Sequence, residues 1–334
     1  MTIHERLIEE EKVKLSPFAA HSCDSKGRNK YVEPCTLRTE FQRDRDRITH
    51  SKAFRRLMHK TQVFVAPEDD HFRTRLTHTL EVTQIARTIA RAVSMNEDLC
   101  EAIGLGHDLG HTPFGHAGER VLRSCYSSDF SHNSQSLRVV DIYEKLNLTF
   151  EVRDGILNHV WGSTPATLEG KIVQFADRIA YINHDIDDAC RAGIITPDDI
   201  PSDIRAVVGE THSGRINTMV TAVIESSIGK DDITMREDVL EKMLALRKYL
   251  FDNVYFNPEA KGEEKKAEHL VEKLYYYFCE HPDEMPEEYK ITVPTDGVGR
   301  AVCDFISGMT DRYAISMFER LFVPQPYGGI PLKL

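Results

Sequence analysis

Three histidines and two acidic residues are concentrated in the fourteen residues from Gly106 to Glu119, together with four glycines and one proline. Imidazole nitrogens and carboxylate oxygens bind divalent metals, and both groups also transfer protons. Glycine inside a helix costs about 1 kcal/mol relative to alanine, and it is favoured where the backbone must approach a ligand closely. The segment therefore predicts a metal-centred hydrolytic site.

Two predicted long helices carry polar residues that suit the same metal. In the helix predicted over residues 74–93, the apolar spacing places His78 on the buried face. In the helix predicted over residues 168–191, Asp177 lies on a separate polar stripe. A single histidine on an apolar face is more often a hydrogen-bonded core residue, but four such groups together favour a metal. The candidate ligands, which leave positions for water or substrate, are His78, His107, Asp108 and Asp177.

The composition is that of a folded protein without membrane spans. The chain has 334 residues, of which 41% are hydrophobic and 28% are charged, and no apolar run reaches the roughly 18 residues that a membrane helix needs. The N-terminus has no apolar signal core and the seven cysteines form no Cys-x-x-Cys pair, so we expect a cytoplasmic protein with reduced thiols and no membrane partner. The net charge of −11 disfavours nucleic acid as the main ligand.

Every element with a clear apolar period is a helix, so the predicted fold class is all-α. Ser94 to Glu97 fits a capping box and Gly110 fits a helix stop. Residues 61–66 are expected as a short strand or an extended turn, and the tail from Pro324 as irregular chain. Longer helices are expected over residues 39–60, 74–93, 168–191, 200–227, 237–251, 265–280 and 298–322.

The predicted helices suggest three parts along the chain. We expect an N-terminal arm over residues 1–38, a helical core over residues 39–250 and a C-terminal helical region over residues 251–334.

Basic residues are concentrated between Arg38 and Lys60, where eight lysines and arginines face three acidic residues, a local excess of +5. One interpretation is a site for a polyanion. The other is a solvated helix face whose charges compensate one another, since arginine and aspartate alternate from Arg43 to Arg47. The sequence leaves both interpretations open.

Several sequence blocks extend the pattern beyond a bare His-Asp pair. They occupy, in order, residues 41–47, 53–57, 75–82, 106–119, 176–181 and 304–312. Together these blocks resemble the HD-domain deoxynucleoside triphosphate triphosphohydrolases, the bacterial dGTPase-like family, over most of the chain. The resemblance implies an HD-domain helical bundle with additional C-terminal helices.

The resemblance also implies a role for individual residues. The four candidate ligands would bind a divalent ion, which the sequence leaves open among Mn²⁺, Mg²⁺, Fe²⁺, Ni²⁺ and Co²⁺. His116 would act as a general acid oriented by Glu119, with His132 near the triphosphate. Phosphate contacts are implied at Arg75, His111 and Arg178, and deoxyribose contacts at Gln62, Tyr181 and Asp185.

The implied activity is hydrolysis of dNTPs, dGTP among them, to a deoxynucleoside and inorganic triphosphate, by attack of a metal-activated water on the α-phosphorus. The family resemblance further implies a homo-oligomer and, often, a nucleotide effector. One alternative is another HD phosphohydrolase: a 5′-nucleotidase, a (p)ppGpp hydrolase or a cyclic-nucleotide phosphodiesterase. A second alternative is an HD protein that binds nucleotides or single-stranded nucleic acid with little chemistry.

Overall fold

The computed structural model describes residues 1–62, 72–254 and 258–324, except for the side chains of residues 258–261. Within these ranges the regular elements are helices, and the β-type contacts are isolated bridges such as the one between Arg28 and Thr149. The all-α prediction is therefore confirmed. Most of the predicted strand or turn (residues 63–66) and of the predicted irregular tail (residues 325–334) lies outside the described residues.

The described part of the chain contains seventeen α-helices. In the N-terminal half they are α1 (Ile3–Lys14), α2 (Glu40–Thr49), α3 (Lys52–Arg56), α4 (Arg75–Ala92), α5 (Glu97–Gly106), α6 (His116–Cys125), α7 (His132–Arg138) and α8 (Phe150–Leu157). In the C-terminal half they are α9 (Leu168–Arg191), α10 (Ser202–Val208), α11 (His212–Ser227), α12 (Glu237–Asn253), α13 (Pro258–Glu280), α14 (Glu287–Lys290), α15 (Val293–Asp296), α16 (Val298–Ser307) and α17 (Asp311–Phe322). No helix in the described part of the chain combines the length and apolar character that crossing a bilayer requires.

The buried apolar side chains form two clusters. The first cluster is built on α4, α5 and α9, which pack on one another, and it extends through α2, α8, α10, α11 and α12. The second cluster joins α6 to the C-terminal helices α13, α16 and α17. Helix α6, which carries His116 and Glu119, is thus packed against a part of the chain that lies far from it in sequence. The division at residues 38 and 250 stays a prediction.

Three predicted long helices are each interrupted, and a Ser or Thr side chain starts the new helix. The prediction of one helix over residues 39–60 is wrong, because α2 ends at Thr49 and Ser51 caps α3 by accepting the N–H of Phe54. The predicted helices over residues 200–227 and 298–322 are interrupted in the same way, with Thr211 and Thr310 as the caps. A capping hydroxyl is worth about 1 kcal/mol to the helix that it starts.

The start of α5 also differs from the prediction. The N-cap is Asn96, whose side-chain oxygen accepts the N–H of Leu99 at 3.2 Å. Ser94 lies two residues earlier with φ of 59°, in the left-handed region, so the capping box predicted from Ser94 is wrong. Asparagine is among the strongest N-caps, and it displaces the serine here.

The basic stretch over residues 38–60 is compensated by neighbouring acids. Arg38 pairs with Asp46 at 2.5 Å, and Arg43 pairs with Glu40 at 2.8 Å. Arg45 contacts Asp46 at 3.0 Å. These pairs support the interpretation of a self-compensated helix face for Arg38, Arg43 and Arg45. Arg47 of α2 instead donates to the carbonyl oxygens of Leu146 and Asn147.

Gly110 is required by a close approach of two backbones. Helix α5 ends four residues before it, so the prediction that Gly110 stops this helix is wrong. A Cβ at Gly110 would lie 2.1 Å from the backbone nitrogen of Ser136 and 2.3 Å from the carbonyl carbon of Gln135. The Gly110 N–H donates to the Ser136 hydroxyl at 2.9 Å. The glycine therefore seats the segment after α5 directly on α7.

We predict that Gly110→Ala lowers the free energy of unfolding by about 3 kcal/mol or more, the upper range for overpacking, because backbone atoms of α7 cannot move aside. Gly262→Ala in α13 is the control, since a Cβ there meets no heavy atom within 4 Å and alanine favours the helix by about 1 kcal/mol. Denaturant unfolding of both variants checks this. Equal stability of the Gly110 variant and the parent would contradict the packing argument.

Candidate metal centre and active site

The four predicted metal ligands meet at one place, although three helices supply them. His78 comes from α4, His107 and Asp108 follow the end of α5, and Asp177 comes from α9. His78 Nε2 lies 3.1 Å from Asp177 Oδ1. His107 Nε2 lies 3.6 Å from Asp108 Oδ2 and 3.9 Å from Asp177 Oδ1. Two imidazoles and two carboxylates therefore face a common point.

His107 presents a nitrogen lone pair to that point. His107 Nδ1 donates to the Gly104 carbonyl oxygen at 2.7 Å, which fixes the tautomer and leaves Nε2 unprotonated. His107 Nε2 is buried and has no hydrogen-bond partner among the described residues. A buried polar atom without a partner costs about 1–3 kcal/mol. A divalent cation satisfies such a donor set, so the residues fit the metal.

Both carboxylates of the set are held ionised. Burial raises the pKa of Asp177, but the hydrogen bond with His78 and the nearby His107 imidazole outweigh it and lower the pKa to about 2. Burial likewise opposes ionisation of Asp108, yet His107 and Arg75 lower its pKa well below the usual range. Two negative charges are therefore present at neutral pH for a cation to neutralise.

A second group of titratable residues lies beside the first and is centred on Glu119 of α6. The carboxylate of Glu119 accepts the backbone N–H of His132 at 3.1 Å, and His132 Nδ1 lies 3.2 Å away. His116 Nδ1 lies 3.5 Å from Glu119 Oε2, and the His116 side chain is 72% exposed. Burial would raise the pKa of Glu119, but His116 and His132 lower it well below its usual range. Glu119 is therefore ionised, and its carboxylate contacts the imidazoles of both His116 and His132.

His159 extends this group toward the metal ligands, and it was not among the predicted site residues. His159 Nδ1 donates to the Ile156 carbonyl oxygen at 2.8 Å, so its Nε2 is an acceptor. That atom lies 3.2 Å from His132 Nε2. Burial lowers the pKa of His159 to about 4, whereas the bond to Glu119 raises the pKa of His132 against the effect of burial. The two ring nitrogens of His132 thus each face an acceptor, Glu119 and His159, which is the arrangement that an imidazolium would satisfy.

Arg75 and His111 connect the two groups. Arg75 is 3% exposed and donates to Asp108 Oδ2 at 2.7 Å, so part of its guanidinium is engaged by a metal-ligand carboxylate. The His111 ring stacks on that of His132 with centroids 4.7 Å apart. Burial and the charge of Arg75 keep the pKa of His111 well below its usual value, so His111 is neutral. Gln62 lies next to Arg75, because the backbone carbonyl oxygen of Gln62 and the guanidinium of Arg75 both border Gly115.

The remaining predicted contacts lie along α9. Asp185 is 4% exposed and Arg178 is 8% exposed, while Tyr181 is half-buried. The guanidinium of Arg178 stacks over the ring of Trp161, the single tryptophan of the chain, at 4.0 Å. Arg178 makes no ion pair with a described residue, so it remains available to an anion.

A short loop between α8 and α9 presents both His159 and Trp161. The amide of Gln174 on α9 donates to the carbonyl oxygens of Asn158, Val160 and Ser163, at 2.7, 3.0 and 3.1 Å. His159 points inward to the histidine group, and Trp161 covers Arg178. The signal for His159 was present in the sequence, because Val152, Ile156 and His159 recur at helical spacing, although α8 itself ends at Leu157. No comparable pattern marked Trp161.

Comparison with known proteins shows the family to which the chain belongs. Residues 75–182 match the HD domain and residues 233–320 match the phosphohydrolase-associated domain. A relative from Caldanaerobacter subterraneus subsp. tengcongensis, named deoxyguanosinetriphosphate triphosphohydrolase-like protein, is 55% identical over 331 residues that cover 98% of each chain. A relative of the same name from Desulfatibacillum aliphaticivorans is 47% identical, over 98% of this chain and 99% of its own.

The chain belongs to the deoxyguanosinetriphosphate triphosphohydrolase-like family. The predicted family is thereby confirmed. The chain is an HD-domain phosphohydrolase, of a class that depends on a metal. Two solved structures share the fold at low identity. A phosphohydrolase from Bacteroides thetaiotaomicron has a TM-score of 0.54 and 17% identity, over 80% of this chain and 66% of its own. A hypothetical protein from Aquifex aeolicus has a TM-score of 0.52 and 22% identity, over 84% of this chain and 71% of its own.

We predict that Asp177→Ala loses the bound metal and the activity together, because it removes one of the two negative charges of the set and a hydrogen-bond partner of His78. Metal content by atomic emission, measured on protein purified in parallel, checks the first part. Asp198→Ala is the control, since Asp198 pairs with Arg205 at the surface and its side chain is 89% exposed. An Asp177 variant with full metal content would refute its assignment as a ligand.

Proposed function

We propose that this protein hydrolyses dNTPs, dGTP among them, to a deoxynucleoside and inorganic triphosphate. The observation that carries the proposal is the juxtaposition of two groups: the donor set of His78, His107, Asp108 and Asp177, and the proton-transfer group around Glu119. Asp108 lies in two of the three groups of described residues that could hold a metal ion, one with His78 and His107 and one with His111 and His132. The names of the relatives support a deoxynucleotide substrate, with dGTP as the first one to test.

The reaction needs a cation on the side of the phosphorus that the water attacks, and a general acid on the opposite side, where the 5′-oxygen leaves. A divalent cation held by the four ligands would lower the pKa of a bound water and polarise phosphoryl oxygens. Arg75, His132 and Arg178 supply positive charge for the triphosphate. Positive groups that are already in place stabilise the charge that develops in the transition state without further reorganisation.

His116 is suited to protonate the leaving 5′-oxygen. Its Nδ1 faces Glu119 at 3.5 Å, so the Nε2 atom of this exposed side chain is left for the substrate. The carboxylate of Glu119 orients the imidazole, which is the arrangement of a carboxylate-supported general acid. His132 contacts both oxygens of Glu119, through its backbone N–H and its Nδ1, and so fixes the direction of that carboxylate.

Selectivity for the deoxyribose is assigned to Gln62, Tyr181 and Asp185. Tyr181 would fill the space that a 2′-hydroxyl requires, and Gln62 and Asp185 would bond the 3′-hydroxyl. Tyr181 and Asp185 are four residues apart on α9, and Tyr181 is four residues after the ligand Asp177, so one helix face holds metal and sugar. The predicted homo-oligomer, nucleotide effector and cytoplasmic location stay predictions.

A panel of dNTPs and rNTPs, each assayed with Mg²⁺, Mn²⁺, Fe²⁺, Co²⁺ and Ni²⁺, tests the proposal. We expect inorganic triphosphate and deoxynucleoside in equal amounts from dNTPs, and little turnover of rNTPs. Orthophosphate or pyrophosphate as the product would instead indicate another HD phosphohydrolase. Oligonucleotide binding with a steep salt dependence and no hydrolysis would indicate a binding protein.

We predict that His116→Ala lowers kcat at least about 10²-fold, the scale of general-acid loss, with unchanged metal content. The side chain is exposed and contacts no metal ligand, so the fold and the metal are expected to persist. His269→Ala, at an exposed position of α13, is the matched control. Unchanged turnover in the His116 variant would remove His116 from this role.

A further inference from the structure

The segment between α5 and α6 carries His111 and leads directly into His116, and we call residues 110–115 the active-site loop. Its last two residues, Phe114 and Gly115, have φ values of 59° and 57°. The left-handed conformation costs an ordinary residue such as Phe114 roughly 1–2 kcal/mol. Such a conformation persists only when surrounding contacts determine it.

The contacts come from residues 304–311, which we call the C-terminal segment. Asp311 Oδ1 accepts the backbone N–H of Phe114 at 2.9 Å. Asp311 Oδ2 accepts the backbone N–H of Thr61 at 2.9 Å and its hydroxyl at 2.7 Å. Thr61 directly precedes Gln62, so one carboxylate, 2% exposed, fixes two edges of the proposed substrate site.

Lys60 makes a second connection between the same two segments. Its side chain is 2% exposed, and its ammonium donates to the carbonyl oxygen of His111 and to that of Ser307, the latter at 2.7 Å. Burial lowers the pKa of Lys60 to about 7. A lysine is seldom buried so fully, and here its donors are used on the backbone of the active-site loop and of the C-terminal segment.

The C-terminal segment also holds the opposite side of the loop, through α7. Asp304 accepts from the Gln135 amide at 2.9 Å and from Arg138. The neighbouring Ser136 hydroxyl accepts the N–H of Gly110 and donates to the His107 carbonyl oxygen at 2.7 Å. Both ends of the active-site loop are therefore tied, directly or through α7, to residues 304–311.

We propose that Asp311 and Lys60 are positioning residues of the active site, which hold His111 and His116 in their working geometry by fixing the backbone of the active-site loop. The function of the phosphohydrolase-associated region then includes completing the site of the HD domain. The proposal rests on the proposed function only for the identity of the substrate. Neither side chain needs to touch substrate or metal for this role.

The experiment compares Asp311→Ala, Asp311→Asn and the control Asp296→Asn. Asp296 lies in the same region and pairs with Arg138 at 2.7 Å, but it contacts no residue of the active-site loop. Three quantities are measured on the full chain: kcat and KM with the substrate that the nucleotide panel identifies, metal content, and amide hydrogen exchange of a peptide that contains Phe114.

For Asp311→Ala we expect exchange at Phe114 to accelerate at least about tenfold, because the amide loses its acceptor. We expect kcat to fall at least about tenfold, with a smaller change in KM and unchanged metal content. Asp311→Asn keeps one acceptor oxygen and is expected to fall between Asp311→Ala and the parent. Asp296→Asn is expected to match the parent in all three measurements.

A folded Asp311→Ala protein with parental kcat would overturn the proposal, and so would a loss of kcat without faster exchange at Phe114. Should Asp311→Ala fail to fold, Asp311→Asn is judged by the same criteria. The exchange and metal measurements require no substrate. They therefore decide whether the loop is held by Asp311 even if the parent protein releases no triphosphate.

Discussion

The buried carboxylate of Asp108 is the charge on which both halves of the site depend. It follows His107 at the end of α5, lies 3.6 Å from the imidazole of that residue, and accepts a hydrogen bond from Arg75 at 2.7 Å. An isolated buried carboxylate would be neutralised by a shift of its pKa, but here the surrounding cations keep it ionised. Because Arg75 is held by the same carboxylate that faces the metal ligands, the metal side and the phosphate side of the site share one electrostatic centre.

The fold serves this centre by allowing unusually close backbone contacts. Gly110 lies against the backbone of α7, and a Cβ at Gly118 would lie 2.3 Å from the carbonyl oxygen of Pro113. These approaches let a six-residue loop turn between α5 and α6 while His107, His111 and His116 remain within one region. The glycines of residues 106–119 were expected to approach a ligand. Gly110 and Gly118 instead approach the protein's own backbone. The groups of this segment that are proposed to face a ligand are its histidines.

Much of the fold was predictable because its main helices carry a clear period. The bounds of α9 agree with the prediction over residues 168–191, and α4 agrees within one residue at each end. The periodicity does not locate interruptions, which depend on single hydroxyl caps such as that of Ser51. At the site, the metal ligands were predictable because two sequence signals pointed to the same residues: the blocks that resemble the family, and the polar positions of the long helices. The structure brings these residues together. His159 satisfies the same stripe rule as His78, but it lies outside every block that carried the resemblance.

Lys60 and Asp311 could not have been recognised as parts of the site from local sequence, because their partners are about 250 residues away along the chain. The roles of the substrate-contacting residues likewise stay predictions, although their surroundings constrain them. Arg178 is the clearest case: it is buried without an acidic partner, and burial lowers its pKa. An unpaired buried cation is costly to a fold. In a chain of net charge −11, a guanidinium that forms no ion pair with a described carboxylate and is covered by Trp161 is best explained by an anionic ligand that completes its environment.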